Sequence, residues 1–366
     1  MKDLSDYYKS RIDRLQFKLQ DDNLNGVILV PGSNLRYYTG SQSIMMERIY
    51  MLFIPSHGQP HLVVPDFEAG ESMEQSIVLH KWNDKDGPSS SLRDVSEKLP
   101  IKGRWGLEGR VPFMFSSPLM KYAKLELVDA EPILQKIRAI KDDTEIKTLQ
   151  KSVKILGKSY LKMKNFLKPR MSEIDLARSI TADIYSNGAE SVAVVLIQAG
   201  ERAADPHSLP TSRKIKRGEP VVVDISSTFL GYFADITRTI AFGRGSKFES
   251  QYGSVLEAQR TAINAAKPGT AVGTVDAAAR DHLRNDKLAE YFLTRTGHGI
   301  GLDIHEPPYV VTGGSEILQP GMVHTVEPGI YIRKNMGIRI EDDLLITTNG
   351  NRVMSAMVPK DFDWWN

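Results

Sequence analysis

The segment from Pro220 to Phe242, PVVVDISSTFLGYFADITRTIAF, constrains the chain most, because it sets acids inside sequence that otherwise belongs in a core. Two runs rich in β-branched residues flank a turn near Leu230-Gly231, the pattern of a hairpin. Asp224 stands in the first run and Asp235 in the second, and a turn centred between Phe229 and Leu230 sets them directly opposite each other. Opposed residues have Cβ atoms only about 5 Å apart. Val221 to Ile225 reads as buried, and two ionised carboxylates that close in a buried strand are costly unless a cation neutralises them. A divalent metal is the simplest remedy.

The arrangement returns near the C-terminus. HTVEPGIYIRKNMGIRIEDDLLI gives two strand-like runs around a turn at Lys334 to Gly337, with Glu327 and Glu341 on opposite arms close to a paired register. His298, in TGHGIGLDIHEPP, adds a nitrogen donor, and the flanking Gly297 and Gly299 permit close backbone approach. Taken singly, each residue has an ordinary reading: a strand Asp as a turn or edge residue, a lone His as packed, an acidic pair as a solvated ladder position. Their joint occurrence outweighs those readings. Such a mixed oxygen and nitrogen set suits two divalent ions such as Mn, Co, Zn or Fe(II), since four carboxylates are too negative for one zinc. A metal pair ~3.5–4 Å apart activates a water and polarises a carbonyl, and amide hydrolysis is the natural chemistry.

The remaining composition narrows the field by exclusion. With no cysteine, disulfides, thiolate nucleophiles and Cys-based zinc sites are ruled out. A net charge of +2, from 47 basic and 45 acidic residues, gives no reason to expect nucleic acid or an anionic membrane as partner. The cluster Arg213, Lys214, Lys216 and Arg217 reads as a solvated turn. Met1 to Gln20 reads as an amphipathic helix, not a signal peptide, and no apolar stretch is long enough to span a bilayer; a cytoplasmic location follows by default.

At 366 residues the chain is long enough for two domains. In the first third, Gly26 to Pro31, Ile49 to Pro55, Pro60 to Val64, Trp105 to Leu107 and Leu125 to Val128 read as strands, with helical composition between them, as over Asp66 to Gln75. A long helix opens at Asp142 or Thr144 and runs to about Leu167, stopped by Pro169. Beyond it a faint repeat shows: Lys168-Pro169 then Ser172 and a helix, Lys267-Pro268 then Thr274 and a helix, each leading to β-rich sequence.

At DIS…ADITRT, GHGIGLDIHEPP, VEPGIYI and GIRIEDD the chain resembles the pita-bread metallopeptidases, specifically the Xaa-Pro peptidases, prolidase and aminopeptidase P. SNLRYYTG and RAIKDDTEI extend the resemblance over nearly the whole chain. It implies a creatinase-like α/β N-terminal domain over 1–130, a linker over 131–142, and over 143–366 an α+β pita-bread (creatinase/aminopeptidase-like) catalytic domain with an internal pseudo-twofold repeat. It implies that Asp224 chelates one metal, that Asp235 and Glu341 bridge both, and that His298 and Glu327 complete the second. Glu327 would also handle the proton of the attacking water, His305 would lie near the scissile carbonyl, and His207 would touch substrate. Arg339 and Tyr232 would orient carboxylates, though an ion pair and simple packing explain them almost as well. The implied substrate is a proline-containing dipeptide or short peptide, and the implied assembly a homodimer. One departure stands out: Tyr309 follows Pro308 where an archaeal-type prolidase can carry an arginine that grips the dipeptide carboxylate, and tyrosine offers no charged fork. Other readings are a metal-free binding protein on the same fold, a methionine aminopeptidase, and a member acting on another small amide.

Overall fold

The computed structural model describes residues 4–70, 77–99, 101–122, 125–168, 170–241 and 248–362, so Pro169, Phe242 and the end of the Asp66 to Gln75 segment lie outside the described residues. The chain divides into two compact units, Met1–Ile137 and Arg138–Asn366.

The first unit runs α1 (Leu4–Asp21), β1 (Gly26–Leu29), α2 (Ser33–Thr39), β2 (Met51–Pro55), β3 (His61–Pro65), β4 (Val78–Trp82), α3 (Ser89–Lys98), β5 (Gly103–Leu107), α4 (Phe113–Ser116), α5 (Leu119–Tyr122), β6 (Leu125–Asp129) and α6 (Glu131–Ala139). Its strands form one mixed sheet in the order β4-β3-β2-β1-β5-β6, with β1 antiparallel to β2 and parallel to β5. Every residue of β1, β2 and β3 is buried, as in a sheet covered on both faces. Phe53 meets Trp105 edge-on at 6.4 Å in the core beneath. The sequence anticipates five of these strands. It misses β4, where Lys81 stays exposed within VLHKW. Asp66–Glu68 forms only a short 3-10 turn, and the expected linker over 131–142 is occupied by α6.

The second unit opens with α7 (Asp143–Leu161), whose N-terminus carries a reciprocal capping box between Asp142 and Glu145. The helix breaks at Lys162 and resumes as the short α8 (Met163–Phe166). Then follow α9 (Glu173–Ser186), β7 (Ser191–Ala199), β8 (Pro220–Phe229), β9 (Tyr232–Ala241), α10 (Glu249–Ala265), α11 (Val272–Asn285), β10 (Gly297–Gly299), β11 (Glu306–Val310), β12 (Val323–Val326), β13 (Gly329–Ile332), β14 (Met336–Arg339), β15 (Asp342–Thr347) and β16 (Gly350–Val353). They form a three-stranded sheet β7-β8-β9, a five-stranded sheet β11-β10-β12-β15-β16, and the ribbon β13-β14.

The two halves of this unit share a plan. An isolated antiparallel bridge leads into α9 at Ser172 and Lys214, and another leads into α11 at Ala271 and Ile317. Each helix is followed by a β-rich segment with an acidic pair, Asp224 and Asp235 within strands in one half, Glu327 and Glu341 between strands in the other. The apolar faces of α10 and α11, with Val255, Ala262, Val275 and Leu283, pack into one core with Val326, Ile338 and Leu344. Among the described residues no helix is long and apolar enough to cross a membrane.

Candidate metal centre

Leu230 and Gly231 both adopt left-handed backbone, φ 50 and 79, giving the two-residue turn whose twist suits a hairpin. Phe229 therefore pairs with Tyr232, Asp224 with Thr237 and Asp235 with Ser226. This corrects the direct opposition of Asp224 and Asp235 expected from the sequence: the turn is centred one residue later, because Leu230 takes the first left-handed position. The two acids become diagonal neighbours, and the period-two alternation still puts both on one face of the hairpin.

The glutamates keep the expected register. Val326 pairs with Asp342 and Gly329 with Arg339, so Glu327 and Glu341 face each other in the gap between two ladders of one register. The turn itself is tighter than expected, since Ile332 already pairs with Met336. His298 enters on β10, held by close backbone contacts. A Cβ at Gly297 would stand 2.0 Å from the Thr325 carbonyl oxygen, and one at Gly299 would stand 2.1 Å from that of Pro307.

Donor atoms of Asp235, His298 and Glu341 all lie within 4.8 Å of one another, and all three residues are buried. His298 Nδ1 donates to the Gly299 carbonyl at 3.1 Å, and Nε2 sits 3.2 Å from Glu327 Oε1, a hydrogen-bonded ion pair when the ring is protonated and a free lone pair for a cation when it is not. Asp224 Oδ2 accepts from Arg339 Nη2 at 2.6 Å. Burial, compounded by Glu341, Asp224 and Asp343, pushes the Asp235 carboxyl well above the usual range, and burial with Glu327 and Asp224 does the same to Glu341. Burial also penalises ionised Glu327, but the hydrogen bond and charge of His298, with Arg339, bring its carboxyl below the usual range. Asp235 Oδ1 is buried and has no hydrogen-bond partner among the described residues. A buried acid cluster of this kind, with an unused oxygen and an imidazole fixed in the right tautomer, fits divalent cations.

The neighbouring oxygens are held by residues that the sequence reading passed over. Thr237 Oγ1 donates to Glu341 Oε2 at 2.6 Å and Thr325 Oγ1 donates to Glu327 Oε1 at 3.2 Å. The Asp235 backbone N–H donates to Asp343 Oδ2 at 3.2 Å. Arg339 also reaches Thr237 Oγ1 and the Tyr331 hydroxyl. The signal for Thr237 was its two-residue spacing from Asp235, which puts both on the same strand face.

The structure brings His305 to the cluster, its ring 4.1 Å edge-on from that of His298; the residue as a whole is exposed, but desolvation on the side of the ring against the cluster, then the charges of His298 and Arg295, lower it to about 4. His207 is exposed on a loop tied down by Arg202, which bonds Glu173 and the Leu209 carbonyl. Its charge acts on His305. Tyr232 sits apart in the strand alternation. Three residues from Asp235, it faces the other side of β9, and its hydroxyl donates to the Glu145 carboxylate at 3.0 Å. Glu306, beside His305, is clamped by Arg138 Nη2 at 2.5 Å and Lys141 Nζ at 2.8 Å.

This arrangement is a buried donor cluster suited to divalent metal, and comparison with known proteins gives its class. Residues 147–348 match the model of metallopeptidase family M24 and residues 11–140 that of the creatinase/prolidase N-terminal domain. The chain belongs to metallopeptidase family M24. It is 31% identical to an Xaa-Pro dipeptidase from Pyrococcus horikoshii, over 95% of this chain and 97% of that one. The crystal structure of dipeptidase PepE from Mycobacterium ulcerans superposes with a TM-score of 0.87 at 35% identity, covering 95% of each chain. That of an X-Pro aminopeptidase from Thermotoga maritima gives 0.81 at 26% identity, over 94% of this chain and 97% of that one.

Proposed function

We propose that this metallopeptidase hydrolyses the peptide bond before proline in dipeptides or short peptides, using two divalent ions. The observation that carries the reading is the convergence of Asp235, His298 and Glu341 in one buried cluster, with Asp224 and Glu327 at its margins and His305 against it. Asp224 and Asp235 would hold one ion and His298 and Glu327 the other, with Asp235 and Glu341 shared. Arg339 and Thr237 keep the remaining carboxylate oxygens in place. When bound, the ions supply a water of lowered pKa and polarise the scissile carbonyl.

The chain's own residues do the rest. Glu327, held ionised beside His298, takes the proton of the attacking water and delivers it to the leaving nitrogen. His305, neutral at ordinary pH, donates a hydrogen bond to the oxygen that gains charge, and His207 closes on the substrate from its loop. Preference for proline is supported by the likeness to the Xaa-Pro dipeptidase of Pyrococcus horikoshii. Physically, an imide nitrogen lacks an N–H, so an apolar wall without an acceptor selects it. The metal-free binding reading is disfavoured because all five donors are present. The expected ions are Mn, Co, Zn or Fe(II), and a cytoplasmic homodimer is the expected form.

The test is hydrolysis of Ala-Pro, Ala-Ala and Ala-Pro-Ala by metal-stripped protein, with and without added Mn or Co. Metal-dependent cleavage of the proline substrates supports the reading. Equal cleavage of Ala-Ala removes proline specificity, and no activity with any metal removes the peptidase mechanism.

A further inference from the structure

The arginines around the centre are committed, with one exception. Arg339 holds Asp224, Arg138 holds Asp303 and Glu306, Arg238 holds Asp342, and Arg280 holds Asp276. Arg295 makes no ion pair or hydrogen bond to any described residue. Its guanidinium instead lies 4.9 Å from the centroid of the Tyr309 ring, over its face. Tyr309 pairs with His298 across β10 and β11, so the stack places the cation beside the donor cluster. Its charge acts on both Glu327 and His305.

The backbone on either side is fixed. Arg280 Nη2 donates to the Thr294 carbonyl at 2.6 Å, Thr296 Oγ1 donates to Asp276 Oδ1 at 2.7 Å, and the Glu327 backbone N–H donates to the Thr296 carbonyl at 2.7 Å. Arg295 is half-buried, so its cation is anchored and partly desolvated yet has no anion of its own. An aromatic face holds a guanidinium by its plane and leaves the N–H fork free in the edge directions. The anion that suits such a fork is a carboxylate. Every dipeptide bound with its scissile carbonyl at the donor cluster brings one, a single residue beyond that bond.

We propose that Arg295, braced on Tyr309, binds the C-terminal carboxylate of a dipeptide substrate and makes the site a dipeptidase. Tyr309 cannot hold a carboxylate, but it holds the residue that can. The inference rests on the peptidase reading above, not on its preference for proline.

The experiment compares each dipeptide with its amide, Ala-Pro with Ala-Pro-amide and Ala-Ala with Ala-Ala-amide, plus Asp-Pro-amide, for the metal-loaded wild type, Arg295→Ala and Arg295→Lys. Proline and prolinamide serve as competing products, read by calorimetry, so that carboxylate binding is measured without turnover. The expected wild type favours the free carboxylate about 10–100-fold in kcat/KM and binds proline over prolinamide. Arg295→Ala loses that preference chiefly through KM, any effect of the lost charge on Glu327 and His305 falling on acid and amide alike so that their ratio is the readout, and Arg295→Lys recovers part of it. Equal use of acid and amide by the wild type, or an equal loss on both in Arg295→Ala, overturns the proposal. A loss confined to Asp-Pro-amide overturns the C-terminal assignment and moves the carboxylate to the first side chain. If Ala-Pro is not cleaved, the proline preference fails while Ala-Ala and the calorimetry still decide Arg295.

Discussion

Asp235 sits where burial and the neighbouring acids all oppose its ionisation, and one of its oxygens is buried without a partner. A carboxylate so placed weakens the metal-free fold and strengthens the metal-bound one. Asp235→Asn is therefore expected to raise the thermal midpoint of stripped protein by a few degrees, about 1 kcal/mol, while abolishing most of the rise that Mn gives the wild type. Calorimetric scans of both proteins, with chelator and with Mn, check this. His305 touches the His298 ring, and the proposed function assigns it to the reaction and not to the donor set. His305→Ala should lower kcat about 100-fold with metal content unchanged. A parallel loss of bound metal would assign it to the donor set instead. Asp224, Asp235, Glu327, Glu341 and His298 were legible because acids inside β-branched runs and a histidine between glycines have no cheap ordinary explanation. Thr237, Thr325 and Asp343 were not, because a hydroxyl or a further acid in a strand carries no such signal until the pairing is known.

The elements set how closely those side chains meet. The sequence located both acidic hairpins, but the register of β8 and β9 turned on one backbone choice, the left-handed Leu230. Leucine seldom takes that conformation, so composition pointed to a turn centred one residue earlier. The opposite case is β12 to β15, where one register carries across the gap and the pairing of Glu327 with Glu341 could be read directly. Strand β11 owes its position to Glu306, nearly fully buried with Arg138 and Lys141. In the sequence these appear only as RAIKDD and HEPP, far apart, and nothing local joins them. Arg138→Met leaves Glu306 with half its counter-charge and should cost roughly 3 kcal/mol, read as a shift in the urea midpoint at constant slope. Gly299→Ala should do at least as much harm, because the added Cβ meets the Pro307 carbonyl and strains the backbone beside His298.

Across the whole molecule, the expectation of two domains came from chain length and the α/β character of the first from strand and helix alternation, whereas α6 over 131–139 and the half-exposed β4 had no such signal. The first unit also holds a buried polar chain unrelated to the metal centre. His61 Nδ1 lies 2.8 Å from His80 Nε2, and His80 Nδ1 lies 2.6 Å from Asp94, which Lys98 also reaches. Burial, then the charges of His80 and Lys98, lower His61 from 6.5 to about 4. Between those values the unfolded chain binds the proton and the folded one does not, so stability falls as pH drops from about 6.5 toward 4 and levels below it. Denaturant melts at pH 7.5, 5.5 and 4.5 should show that loss, and His61→Gln should flatten it; an unchanged slope would remove His61 as the cause. The central claim, that the acid cluster is a dinuclear metal centre, is tested most directly by counting metal. Stripped protein dialysed against Mn and assayed by elemental analysis should retain two ions per chain, and Glu341→Gln, which removes a shared ligand, fewer than one. No retained metal, or the same count in Glu341→Gln as in the wild type, would contradict it.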